Sequence, residues 1–193
     1  MNHLKLFDLI APFYAWFYSY QVKHYRSVLE AVENSSLDRQ LNVLDVGCGT
    51  GALTRLWSEH FKTVIGLDGS PRMIEHAQRL AQGKPIDYRC WDLREPWPFE
   101  SQSFELVSAS FVLHGLKPHE RSFVLKEMKR VGRNVLVMDY LEKTNALISF
   151  VEWLEQGDYF NFRKTFKNEF KAHFKTIHIH SLNAYIGLYQ AKA

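Results

Sequence analysis

Cysteine is scarce in this chain. Cys48 and Cys90 are the only two among 193 residues. They make neither a metal-ligand spacing nor a disulfide framework, and a reducing, cytoplasmic compartment is the simplest expectation. No apolar run reaches the roughly 18 residues that would suggest a membrane-spanning helix. The stretch Met1–Tyr20 is apolar and aromatic but contains Asp8, and no basic segment precedes a clean apolar one. A secretory leader is therefore not expected. Runs of five or more like charges are missing and the formal net charge is only +3, which argues against a polyanion-binding tail. Repeats, low-complexity tracts and compact acidic clusters are also absent, so neither a solenoid nor a catalytic magnesium site is expected. What is plentiful is apolar surface: 46% of residues are hydrophobic and 15% aromatic. That is enough for one globular domain with a substantial core.

Within this background one stretch stands out, Val43-Leu44-Asp45-Val46-Gly47-Cys48-Gly49-Thr50-Gly51. The apolar residues Leu41 to Val46 predict a buried strand. Leu53, Leu56, Trp57 and His60 recur at helical spacing directly after the glycines. A strand, a tight glycine turn and a helix N-terminus make a ligand cradle. Glycine allows φ > 0 and close approach to bare backbone, and the helix start offers N–H groups and partial positive charge. Asp45 sharpens this reading: a carboxylate there is unwelcome beside a pyrophosphate but suits a ligand with a cationic group. The looser nucleotide fingerprint G-x-G-x-x-[GA] is also satisfied, by Gly47, Gly49 and Ala52.

The stretch resembles motif I of the class I S-adenosylmethionine-dependent methyltransferases, apolar-x-D-x-G-x-G-x-G, without a gap. The small-molecule (methyltransferase type 11-like) group is the nearest in character. Phe7-Asp8-Leu9-Ile10-Ala11-Pro12-Phe13-Tyr14 is similar to that group's Y-D-x-x-A-x-x-Y leader, with Phe7 in place of tyrosine. The resemblance implies S-adenosylmethionine as cofactor and S-adenosylhomocysteine as product. It assigns Asp45, Gly47, Cys48, Gly49 and Gly51 to the cofactor loop. It also implies an aromatic lid over residues 1 to 20, in which Tyr14 faces the pocket as a candidate catalytic residue.

The following residues extend the assignment. Thr63 to Asp68 predicts a second strand whose terminal acid reaches the glycine edge, where it can accept from both ribose hydroxyls, with Gly69 beside it. Ser70 and Pro71 then open a helix with Ile74, Ala77 and Ala81 inward. Ile86 to Cys90 predicts a third strand. By resemblance, Asp92 after it accepts from the adenine amino group and the Leu93 N–H faces the ring, with Asp87 as the competing acid. The alternative for Asp92 is a turn aspartate bonded to its own backbone. Residues 94 to 99 read as a surface loop. Phe104 to His114 predicts the fourth strand and its exit and resembles F-D-x-V, with Glu105 for the usual aspartate. Ser110, Phe111 and His114 belong at its carboxyl edge, where open α/β sheets bind ligands. His114 is the candidate general base.

Pro118 opens a helix with Val124, Met128 and Val131 on one face. Arg121, Lys126, Lys129 and Arg130 read as its solvated face. A fifth strand follows at 134–139, with Asp139 and Tyr140 emerging near the active edge. Phe162, Phe166 and Phe170 recur every fourth residue among basic side chains. Packing on the sheet is the favoured reading of that stripe over a membrane-surface helix. Two terminal strands follow, Phe174 to Ser181 and Ala184 to Gln190, whose short Leu182-Asn183 connection allows a hairpin, and His178 and His180 read as exposed residues rather than metal ligands.

The whole predicts a single domain, residues 1–193: a helical cap over 1–36 and an α/β core over 37–193. The core is a Rossmann-like, seven-stranded, mostly parallel sheet with an antiparallel C-terminal strand and helices on both faces. The expected activity is in-line methyl transfer to a small, apolar or aromatic acceptor. No D-P-P-Y or N-P-P-Y tetrapeptide and no Pro-Cys pair points to nucleic acid. The expected partner is a small molecule, with no nucleic acid, no stable membrane insertion and no metal, while surface association stays open. The rival readings are a cofactor-binding scaffold without transfer and a nicotinamide oxidoreductase.

Overall fold

The apolar run before the glycines becomes β1, Asn42–Val46, the centre from which the sheet grows. The computed structural model describes residues 41–81, 83–145 and 157–193, together with Tyr25, Val28, Leu29, Ile148 and Ser149. The chain divides into two compact units, Met1–Leu37 and Asp38–Ala193. In the first, Tyr25, Val28 and Leu29 are helical. The expected lid over residues 1 to 20, with Tyr14, lies outside the described residues, as does most of the expected cap.

In the second unit the order is β1, α1 (Ala52–His60), β2 (Thr63–Asp68), α2 (Pro71–Leu80), β3 (Ile86–Cys90) and β4 (Phe104–Ser110). A 3₁₀ turn (Leu113–Gly115), α3 (Pro118–Val131), β5 (Gly132–Tyr140), α4 (Tyr159–His173), β6 (Thr176–Ser181) and β7 (Ile186–Lys192) complete it. The sheet order is β3-β2-β1-β4-β5-β7-β6. Neighbours from β3 to β5 pair in parallel, and β7 runs antiparallel to both β5 and β6. The seven-stranded, mostly parallel Rossmann-like sheet is therefore present, with β7 as its antiparallel C-terminal strand. The order reverses between β1 and β4, and open sheets bind ligands beyond the strand ends at such a switch point.

Local chemistry explains the elements. Ser70 caps α2 by accepting from the Met73 N–H at 3.3 Å, and Pro71 occupies its first turn. Glu105 accepts from the Asn42 N–H at 2.9 Å, so the acid in place of the usual aspartate pins the start of β1. The stripe Phe162, Phe166 and Phe170 is buried on α4. The Phe166 and Phe170 rings lie 4.9 and 5.6 Å from that of Tyr189 on β7. Packing on the sheet is thus the use of the stripe, while Lys164, Lys167 and Lys171 are exposed. No helix among the described residues is long and apolar enough to cross a membrane.

Three local expectations need correction. Arg121 is not on a solvated face of α3 but fully buried. It forks onto Glu169 of α4 at 2.8 and 2.9 Å, reaches Asp158 at 2.8 Å and lies over the Phe162 ring. The helical period alone cannot show this, because both acids come from a later segment. The stretch 94–99 is not simply a surface loop. Trp97 is buried, its N–H donates to Glu127, and Arg130 donates to the carbonyls of Trp97 and Phe99. Finally, the β6–β7 turn is longer than Leu182-Asn183. The Asn183 Oδ1 accepts from the N–H groups of Tyr185 and Ile186 and closes the turn itself.

Arg121 joins two helices with a desolvated charge. Desolvation works against its charge, but Glu169 and Asp158 hold its pKa above the ordinary value. Arg121→Ala leaves two carboxylates without their cation. Because both reach water, it should cost about 2–4 kcal/mol, toward the lower end of what breaking a buried pair costs. Arg121→Lys should recover little, because an ammonium cannot form the planar fork. Urea denaturation of the two variants checks this.

Candidate active site

The cofactor-type loop connects β1 to α1 and is fastened to the end of β2. The N–H groups of Gly47 and Cys48 both donate to the Leu67 carbonyl, at 2.7 and 3.1 Å. The Gly49 N–H donates to Asp68 Oδ2 at 2.9 Å, and the Ser70 N–H to Asp68 Oδ1 at 2.8 Å. Gly47, Gly49 and Gly51 all have positive φ, at 64, 54 and 74°. Their surroundings differ. A Cβ on Gly47 would strike Val112 at 2.3 Å, and one on Gly51 would strike the Tyr88 hydroxyl at 2.2 Å. At Gly49 a Cβ would meet nothing within 4 Å among the described residues. Gly47 and Gly51 thus admit neighbouring side chains, and of the three Gly49 alone presents backbone that no described residue covers.

Asp68 stands at the end of β2 as expected. Each of its oxygens takes one backbone N–H, which leaves each a lone pair for a ligand hydroxyl. Desolvation raises its pKa, partly opposed by the Ser70 and Gly49 N–H groups. Gly69 adjoins the backbone of Trp91 and Asp92. Asp92 is engaged by Arg94. Oδ1 accepts from the Arg94 N–H and Nε, and Oδ2 from Nη2 at 2.7 Å. The Arg94 hydrogen bonds hold its carboxyl at about 2. The turn-forming role of Asp92 is therefore present, and Oδ2 keeps capacity for one further donor. Asp87 pairs with Arg89 in the exposed part of β3. Leu93 is buried beside this turn, and its carbonyl accepts from the Trp97 indole.

Asp45 is more enclosed than its motif suggests, with 1% of its surface exposed. Thr54 donates to Oδ2 at 2.7 Å and Ser108 to Oδ1 at 2.8 Å, and the Trp57 indole in turn donates to Ser108. Burial pushes the Asp45 carboxyl up to about 6 against the lowering by its two hydroxyl partners, and the Asp68 charge adds to the rise. Thr54, Trp57 and Ser108 were not singled out as site residues in the sequence. The signal was present in Ser108, a hydroxyl within the apolar stretch Leu106 to Ala109 of β4. Cys48 contributes backbone to the loop. Its side chain packs by Ile74, Ala77, Ala81 and Tyr88, and burial raises its thiol pKa.

The remaining candidates gather where β4 and β5 end. Ser110 closes β4, and Phe111 follows with φ 53°, a strained conformation for a bulky residue. Its N–H donates to Met138 and its ring meets Tyr140 at 5.3 Å. His114 lies in the 3₁₀ turn, 6% exposed, with Nδ1 2.8 Å from Asp139 Oδ1. Among the described residues no group of three or more His, Cys, Asp or Glu gathers as a metal site. His178 and His180 are exposed on β6.

The raised Asp45 value gives a pH dependence with a definite sign. A carboxyl that is weaker in the fold than in the open chain stabilises fully below its unfolded value near 4. That contribution is lost as pH rises through about 6. It amounts to on the order of 2–3 kcal/mol. Denaturation of the wild type between pH 4 and pH 8 should show this loss, and Asp45→Asn should flatten that part of the curve.

Residues 43–134 match the family described as a methyltransferase domain. The chain is 31% identical over 119 residues to an uncharacterized methyltransferase of Schizosaccharomyces pombe, covering 60% of this chain and 44% of that one. It is 30% identical over 95 residues to a ubiquinone biosynthesis O-methyltransferase of Coxiella burnetii, covering 48% of this chain and 40% of that one. The chain thus spans less than half the length of these two curated relatives. A solved structure of magnesium protoporphyrin IX methyltransferase from Synechocystis, with bound S-adenosylhomocysteine, superposes with a TM-score of 0.69. Sequence identity there is 20%, covering 89% of this chain and 82% of that one. The matched stretch runs from β1 to the start of β5 and contains the glycine loop, Asp68, Asp92 and His114, and on that ground residues 43–134 form an S-adenosylmethionine-dependent methyltransferase domain.

Proposed function

We propose that this protein transfers the methyl group of S-adenosylmethionine to a small acceptor with an apolar or aromatic body. The observation that carries the reading is Gly49. Its backbone is held in the left-handed region, its N–H is anchored on Asp68, and the space where a side chain would stand is open. The donor set fits the cofactor. Asp68 has one lone pair on each oxygen for two ribose hydroxyls, and Asp92 Oδ2 has one for the adenine amino group. The buried Asp45 acts on the cationic end of the ligand through the field under the loop. The cofactor supplies an already activated methyl group. The chain's own tasks are to align the acceptor and exclude water.

An apolar or aromatic acceptor is supported by the side chains at the ends of β4 and β5, Phe111 and Tyr140. The two rings are in edge contact, and the His114 ring meets that of Tyr140 at 4.9 Å. One of the relatives, by its name, methylates oxygen in ubiquinone biosynthesis. The lid role of residues 1–20 with Tyr14, and the one-domain organisation of cap and core, belong to the same proposal.

Titration calorimetry should show S-adenosylmethionine and S-adenosylhomocysteine binding and no NAD binding. Tight NAD binding without either would overturn the reading. Asp68→Ala should weaken S-adenosylhomocysteine binding by roughly 2–3 kcal/mol through lost charge-assisted hydrogen bonds. Gly49→Val should abolish it, because a branched side chain would fill the open space at an unfavourable φ. Asp92→Ala should have the smallest effect of the three.

A further inference from the structure

The sheet ends in β6, whose outer edge has no neighbouring strand among the described residues. Edges are ordinarily guarded by lysine, proline or a bulge, because their free N–H and C=O groups accept another strand. Thr176-Ile177-His178-Ile179-His180-Ser181 carries no lysine, acid or proline, and it pairs with β7 without a bulge. The nearest cations, Lys175 and Lys192, stand at its start. Ile177 and Ile179 favour a strand and are only partly buried. His178 and His180 project from the other face, opposite Gln190 and Leu188 of β7, and both are exposed. Their rings lie 6.5 Å apart and within 15° of parallel.

We propose that His178 and His180 form half of a zinc site, which a second copy of the chain completes by pairing its own β6 antiparallel along this edge. The inference stands apart from the methyl-transfer reading and uses none of its residues. Alternate residues of a strand share a face, so one ion reaches both rings. Tetrahedral zinc binds imidazole nitrogen at about 2.0–2.1 Å, which sets two ligating rings roughly 5 Å apart. Exposed side chains close the remaining gap by rotating. A closed zinc site takes four protein ligands. One chain offers two here, in keeping with the lack of a larger group among the described residues.

The main chain sets the register. The Leu182 N–H donates to the Ile186 carbonyl at 2.9 Å. Bonding alternates along an antiparallel pair, so His178 and His180 turn their backbone groups to β7, while Ile177, Ile179 and Ser181 turn theirs to the free edge. A two-fold axis at Ile179 then sets Ile177 opposite Ser181 of the second copy, and His178 opposite its His180. The histidines fall at non-hydrogen-bonded positions, where facing Cα atoms are about 4.5 Å apart. Four imidazoles thus meet on one face. On the other, the two Ile179 side chains meet at the axis and leave water. Lys175 falls opposite Asn183 of the second copy, so no like charges confront each other along the edge. A pair of six-residue strands is marginal by itself, and the metal supplies the missing stability. Imidazole ligands suit zinc, copper and nickel, and a tetrahedral set selects zinc.

Sedimentation velocity and zinc titration calorimetry on the full chain, free of any affinity tag, test this. With EDTA the chain should sediment as the 22.7 kDa monomer. Zinc chloride should convert it to a dimer, with one zinc bound per two chains. The double variant His178→Gln, His180→Gln should lose both the dimer and the zinc heat. Ile179→Lys sets two like charges at the axis and leaves both histidines in place. It should lose the dimer and keep a weaker, one-to-one zinc contact. Both variants change exposed or partly buried positions of an edge strand, so their circular dichroism should match the wild type. Zinc bound one per wild-type chain without a change of mass shows an adventitious ion only and overturns the shared site. Absence of zinc heat in the wild type overturns the site outright. A dimer that forms in EDTA, or that survives the double glutamine variant, overturns the role of the metal. A zinc dimer that survives Ile179→Lys overturns the pairing along β6.

Discussion

The site depends on one attachment, that of the glycine loop to the end of β2. A loop of left-handed glycines has no intrinsic preference for one shape. Here three consecutive N–H groups, those of Gly47, Cys48 and Gly49, find their acceptors on Leu67 and Asp68. The loop is therefore shaped by the neighbouring strand rather than by its own sequence. Asp68 in turn cannot be treated as a ligand contact alone. It holds the Gly49 and Ser70 N–H groups while keeping one lone pair on each oxygen. Any change at Asp68 therefore also disturbs the loop it holds. The parallel pairing of β1 with β2, with Val46 opposite Leu67, makes this attachment geometrically available.

A second consequence concerns why the motif needs its glycines. A ligand-centred explanation treats all three alike, yet the structure separates them. Gly51 gives passage to Tyr88, which crosses from β3 over Gly66 toward the start of α1. A Cβ on Gly66 would also meet that ring, at 2.7 Å. Gly47 gives way to Val112. The edge strand β3 and the exit of β4 thus reach the loop from opposite sides, and of the three only the middle glycine has no described residue against it. Close packing leaves room for one approach.

The sequence made the central sheet legible because its signals are local. Apolar runs ending in Gly47 and Asp68, the Ser70-Pro71 start and the Pro118 start each act within a few residues, and the corresponding elements formed as expected. The phenylalanine stripe of α4 was legible for the same reason. What local pattern could not carry was long-range polar pairing. Arg121 looked like a surface charge because its partners, Asp158 and Glu169, lie in a different helix and its approach. Trp97 looked like loop because Glu127 and Arg130 lie across α3. Within the site, Asp45 and Asp68 were legible as acids but not by partner, and Asp139 was legible only as a residue near the edge. A hydrogen bond from a backbone N–H to an acid distant in the chain leaves no local sequence signature, whereas the Ser70 cap, three residues from its donor, does.

The two buried acids of β1 and β5 illustrate how partner chemistry divides the work. Asp45 meets two hydroxyls, from Thr54 and Ser108. A hydroxyl donates to a carboxylate and accepts from a carboxylic acid by rotating one bond. That site accommodates either protonation state, in keeping with a carboxyl raised to about 6. Asp139 instead meets backbone N–H groups, which cannot reverse their role. The first arrangement lets charge under the cofactor loop answer to what binds above it. The second holds the His114 ring and the 3₁₀ turn in one place. Burial alone does not distinguish the two acids, since both are almost wholly enclosed. The difference lies in whether the donors around them can turn.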